Sequence, residues 1–252
     1  MTPLHHDITG PDDAPVVLMG GSLGTDLRMW DRQLPLARRL RLVRFDHRGH
    51  GRSPVPPGPY QIEDLGRDVL ELFAALGCQR AHYCGISLGA MVGMWLAANA
   101  RDRIDRLVLL CTAAYMPPRS MWEQRIAAVR EAGSVEPLAD TVLDRWLTPG
   151  FAAANPGVRT VLRSMLAATP AEGYASCCGA IARMDLRAVL GEIRAPTLVI
   201  SGDQDPSTPP CEQHLIAQSI PDSRQEIVGP AAHLASIEQP ETVNPLILEH
   251  LS

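Results

Sequence analysis

The chain has 252 residues, 46% of them hydrophobic and 20% charged, a composition that supports one substantial core and excludes a disordered chain. Net charge is −5, and all 23 basic side chains are arginines interspersed among acids, so no basic patch is available for nucleic acid or anionic lipid. No apolar run reaches membrane-spanning length, and MTPLHHDITG lacks the basic and apolar regions of an export signal, so the cytoplasm is the expected compartment.

Short apolar runs read as strands at Val16–Met19, Leu42–Phe45, His82–Cys84, Leu107–Leu110, Leu198–Ser201 and Gln225–Val228. Leu4–Ile8 reads as an antiparallel first strand paired with the second. Between strands lie helical patterns: Leu65, Val69, Leu72, Phe73 and Leu76 recur at helical spacing before Gly77 stops the run. Such alternation predicts an α/β fold with a mainly parallel sheet and helices on both faces. It breaks at residue 115, where helix-like segments separated by prolines and glycines run to residue 190. The expected organisation is a core of residues 1–114 and 191–252, with 115–190 as a helical cap over the carboxyl ends of the strands, where open α/β sheets bind ligands.

Several stretches carry chemistry. GISLG places Ser87 between Gly85 and Gly89, after a strand and before a helix, the pattern of a nucleophile elbow. A serine needs a base, and the base needs an orienting acid. Among the later histidines, His233 follows the last strand on a Gly-Pro loop, whereas His214 and His250 fall in helices. SGDQD offers Asp203 and Asp205 after the penultimate strand, and the spacing from Gly202 favours Asp205. The glycine-rich loop GGSLG would supply one oxyanion donor from Leu23 N–H, with Leu88 N–H as the other and the Ser22 hydroxyl as a substrate contact. That loop lacks the patterns of dinucleotide and P-loop phosphate sites. FDHRGHGRS reads as a structural turn, and His47 and His50 lack the further ligands a metal needs. The six cysteines match no zinc spacing; Cys177 and Cys178 read as adjacent reduced thiols.

Taken in order, GGSLG, DHRGHGRS, GISLG, SGDQD and AAH resemble the α/β-hydrolase superfamily across nearly the whole chain. GSLGTDLRMWDRQLP, CGISLGAMVGMWLAANA, EGYASCCGAIARMDLR and GDQDPSTPP further resemble the 3-oxoadipate enol-lactonases. The family pattern has a methionine and a second glycine after the serine; Leu88 presents the same backbone N–H. The resemblance implies hydrolysis of a small anionic enol-lactone to 3-oxoadipate, in the β-ketoadipate pathway of aromatic catabolism. It implies a Ser87–His233–Asp205 triad and no metal or organic cofactor. An acetate arm on the substrate calls for a cation from Arg28, Arg125 or Arg145, with Trp122 and Trp146 as apolar walls. Alternatives are a broader carboxylesterase, a cofactor-free perhydrolase and a non-catalytic binding module on the same fold. The sequence leaves the oligomeric state open.

Overall fold

The structure is a computed structural model that describes residues 4–252; residues 1–3, the start of the stretch read for an export signal, lie outside the described residues. Seven strands form one sheet: β1 (His6–Thr9), β2 (Val16–Gly20), β3 (Arg41–Phe45), β4 (Ala81–Ile86), β5 (Ile104–Leu110), β6 (Thr197–Gly202) and β7 (Ser223–Val228). Their spatial order is β1-β3-β2-β4-β5-β6-β7, with every neighbouring pair parallel except β1 and β3.

The expected antiparallel first strand exists, but its partner is β3 rather than β2. Strand β2 has both edges occupied, by β3 through the crossover that follows it and by β4 on the other side. The free edge is on β3, where His6 pairs with Phe45 and Thr9 with Leu42. The central strands β4 and β6 are buried at every residue, as unbroken apolar runs covered by helices on both faces should be.

Helix α1 (Ile62–Ala75) starts at a capping box of Gln61 and Asp64 and turns its apolar stripe inward. Gly66 on that stripe lets α1 approach Trp95 of α2 (Leu88–Asn99); a Cβ there would fall 2.1 Å from the indole. Helix α2 is apolar around most of its circumference because it is buried between sheet and α1. The chain turns one way from β2 to β3 and the other way to β4, so the carboxyl ends of β2 and β4 flank a topological switch point, a favoured ligand site.

Between β5 and β6 lie five α-helices: α3 (Arg119–Ala132), α4 (Ala139–Trp146), α5 (Pro149–Ala154), α6 (Pro156–Ala168) and α7 (Ala171–Arg183). The two ends of this insert meet where Tyr115 bridges Asp185 and Leu186 N–H donates to the Ala114 carbonyl at 2.9 Å. Helix α7 carries the EGYASCC stretch and packs on the DHRGHGRS turn: a Cβ on Gly49 (φ +75°) would fall 2.5 Å from Gly173 Cα. After β6 come α8 (Pro210–Ser219), the short α9 (Ala235–Glu238) and α10 (Pro240–Leu251). Among the described residues, no helix is long and apolar enough to cross a membrane.

Candidate active site

Ser87 sits at the turn from β4 into α2 with φ 52° and ψ −115°. A non-glycine residue with positive φ is strained by about 1–3 kcal/mol and persists only where its surroundings fix it. Here Ser87 N–H donates to the Leu110 carbonyl at 2.9 Å, and the Thr112 hydroxyl donates to the Ser87 carbonyl at 3.0 Å. The flanking glycines are required by backbone approach. A Cβ on Gly85 would fall 2.4 Å from Gly89 C, and one on Gly89 would fall 2.1 Å from Gly20 O. The buried Tyr83 hydroxyl donates to the Gly89 carbonyl at 2.9 Å, tying strand to helix from beneath.

His233 lies on the loop between β7 and α9, and its Nδ1 meets Asp205 Oδ2 at 2.8 Å. Both side chains are buried. Burial pushes the Asp205 carboxyl up, but the His233 charge and hydrogen bonds from His233 and Thr208 outweigh it, so the net displacement is downward. Asp205 is therefore the ionised partner that fixes His233 with its proton on Nδ1, leaving Nε2 for base chemistry. Asp203 does something else: its Oδ1 accepts from Ala231 N–H at 2.9 Å, bracing the loop that carries His233.

The glycine-rich loop, residues 20–25, is held on both sides of Leu23. Ser22 N–H points to Met29 Sδ at 3.2 Å, and Gly24 N–H donates to His50 Nε2 at 2.9 Å. Thr25 N–H returns to the Ser22 carbonyl at 3.2 Å. Among the described residues nothing accepts from the Leu23 N–H. The Leu88 N–H, first in its helix, has no intrahelical acceptor either. His50 accepts a hydrogen bond and is driven down by burial, so it is the neutral imidazole, with its Nδ1–H donating to the Arg48 carbonyl at 3.2 Å.

These groups open into one cavity of about 230 Å³, lined by Ser22, Leu23, Ser87 and His233 from the core and by Trp122, Arg125, Arg145 and Trp146 from the insert. The volume lies below the range of drug-sized sites and suits a small substrate. The Arg125 guanidinium lies over the Trp122 ring, 5.1 Å from its centroid. Neither Arg125 nor Arg145 has a carboxylate partner among the described residues. Arg28 does not belong with them. It forms a bidentate pair with Asp26, two residues earlier, and lines two other cavities. The half-buried Asp26, at the cap of the segment that carries Arg28, took the guanidinium that sequence spacing alone left free. Among the described residues no group of three or more His, Cys, Asp or Glu side chains could hold a metal ion. All six cysteines are free, and Cys177 and Cys178 are buried in α7.

Sequence reasoning missed Thr208 and Glu238. The Thr208 hydroxyl donates to Asp205 Oδ2 at 2.7 Å, while Ser207 and Thr208 N–H groups donate to Oδ1 at 2.8 and 3.1 Å. Asp205-Pro206-Ser207-Thr208 is a readable Asx-turn signature, so that signal was present. Glu238 reaches across 90 residues to Thr148, a contact with no local sequence signature.

A family model for the α/β-hydrolase fold matches residues 14–240. A 3-oxoadipate enol-lactonase of Acinetobacter baylyi is 39% identical over 96% of this chain and 90% of its own length. The crystal structure of the enol-lactonase from Burkholderia xenovorans superposes with TM-score 0.96 at 39% identity, covering 98% of this chain and 96% of that one. A hydrolase structure from Pseudomonas aeruginosa also reaches TM-score 0.96, at 43% identity over 99% and 94% of the two chains. Strand order, elbow and cavity agree with that likeness: the chain belongs to the α/β-hydrolase family.

Proposed function

We propose that the protein hydrolyses 3-oxoadipate enol-lactone to 3-oxoadipate through an acyl-enzyme on Ser87, within the breakdown of aromatic compounds. The observation that carries this reading is a single small cavity in which Ser87 and His233 meet unpaired insert arginines. The enol-lactonase likeness spans nearly the full chain and supports the choice of substrate.

Ser87 Oγ attacks the lactone carbonyl carbon while His233 Nε2 takes its proton and Asp205 stabilises the resulting imidazolium. Leu23 and Leu88 N–H groups receive the carbonyl oxygen as it gains negative charge; one such donor is commonly worth about 3–4 kcal/mol. Collapse breaks the ring C–O bond. The leaving oxygen departs as an enolate, receives the proton from His233 and tautomerises to the ketone. Water then attacks the acyl-Ser87 carbonyl, giving its proton to His233, and the second carboxylate is released as Ser87 regains a proton. No redox or metal step enters this balance.

Residues 115–190 act as the cap that selects the substrate. Arg125, half-buried beside Trp122, is the cation for the acetate arm, Arg145 adds positive charge at the rim, and Trp146 and Ser22 border the ring. Methyl-esterifying the acetate arm removes a charge-assisted contact of about 1.5–3 kcal/mol, so kcat/KM should fall roughly 10- to 150-fold. Comparing the acid, its methyl ester and an apolar lactone of similar size tests the reading. Equal turnover of all three would leave a general esterase as the better description.

A further inference from the structure

His233 hangs between two amides, and both are tethered to the insert. Leu234 N–H donates to the Trp146 carbonyl at 2.9 Å. On the other side, Ala232 N–H donates to Glu238 Oε1 at 2.6 Å. The second Glu238 oxygen, Oε2, accepts from Thr148 N–H at 3.0 Å and from the Thr148 hydroxyl at 2.6 Å. That hydroxyl also accepts from Phe151 N–H at 3.3 Å as the cap of α5, so its single proton is committed to Glu238. Glu238 and Thr148 are both buried, and the three donors that meet the carboxylate are all neutral. A helix cap or a loop brace would use one such bond. Here one acceptor-only side chain joins the loop of His233 to the segment directly after Arg145 and Trp146, both of which line the cavity.

We propose that Glu238 is a positioning residue: its carboxylate clamps the His233 loop to the Trp146–Thr148 strut, so that the substrate-contacting wall of the insert and the catalytic imidazole move as one body. This rests on the serine-hydrolase reading of the site. The clamp acts through His233 and touches no reacting atom. Placing Nε2 between Ser87 and the leaving oxygen is where it matters, since misplacement of about 1 Å can cost on the order of 10²-fold in rate.

The test uses the full-length enzyme and a chromogenic acetate ester, which keeps it separate from the lactone assignment. Ester turnover that disappears in Ser87→Ala secures the triad whatever the enzyme does to lactones. Glu238→Gln keeps the side-chain shape but turns an NH₂ toward one of the N–H donors. It should lower kcat roughly 10- to 100-fold with KM within about twofold. Thr148→Val, which removes one donor to Glu238 together with the cap on Phe151 N–H, should lower kcat less and in the same direction; it carries the test should the first variant fail to fold. In a His233→Ala background, Glu238→Gln should change the residual turnover by less than about twofold, because its effect passes through the missing imidazole. Wild-type kcat in folded Glu238→Gln, or in folded Thr148→Val where that variant alone is available, would overturn the proposal. So would an equal loss with and without His233, which would make Glu238 a support of the fold alone.

Discussion

Acid should unfold this protein partly through His47. Its ring lies in the turn after β3, edge-on to Phe45 with centroids 5.1 Å apart, and its Nε2 has no hydrogen-bond partner among the described residues. Burial, and then the neighbouring His50, push His47 down to about 3 from an ordinary value near 6.5. The folded value lies below the unfolded one, so between these limits the unfolded chain holds a proton that the native state excludes. The resulting stability is complete above about pH 6.5 and is lost as pH falls toward 3. At about 1.4 kcal/mol per pH unit the whole gap is worth about 5 kcal/mol, and the part lost between pH 7 and 4.5 is about 2–3 kcal/mol. Carboxylates and other buried histidines also titrate there, so the His47 share is isolated by comparison with His47→Leu. Urea unfolding at pH 7 and 4.5 should show the variant losing about 2–3 kcal/mol less than the wild type over that interval. Parallel losses in the two proteins would refute the assignment of a buried, uncharged His47.

Three further substitutions address the site. Asp205→Asn should cost on the order of 10⁴ in kcat by losing the tautomer that leaves Nε2 free, whereas Asp203→Asn should cost far less because Asp203 braces the loop through Ala231; steady-state kinetics of the two purified variants settle the ranking, and its reversal would make Asp203 the orienting acid. Gly89→Ala drives a Cβ into the Gly20 carbonyl, so it should destabilise by about 1–3 kcal/mol and misplace Ser87; a thermal melt and ester turnover both at wild-type values would contradict the tight elbow.

The α/β architecture was legible because its signals are local or periodic. Unbroken apolar runs such as those of β4 and β6 belong to strands buried on both faces, and the apolar spacing of Leu65, Val69 and Leu72 belongs to a helix with one buried face. The elbow was legible because Gly85 and Gly89 answer a steric demand within five residues of chain. Strand pairing at the edge was not: β1 goes to β3 because β2 is already flanked on both sides, which is a property of the whole sheet. Arg28 failed for a different reason. Any arginine near a glycine-rich loop is a candidate cation until the side chain is placed, and Asp26 captures this one. Thr208 was readable from its Asx turn. Glu238 was not, because its meaning comes from Thr148 and Ala232, which only the folded chain brings to it.

The most direct test of the central claim is spectrophotometric consumption of 3-oxoadipate enol-lactone by the purified wild type and by Ser87→Ala. The account predicts rapid loss of the lactone with wild type and 3-oxoadipate as product. A folded Ser87→Ala should fall by several orders of magnitude, to a residual rate from oxyanion and binding effects alone. A wild type that leaves the lactone untouched, or a folded Ser87→Ala that consumes it at near wild-type rate, would contradict it.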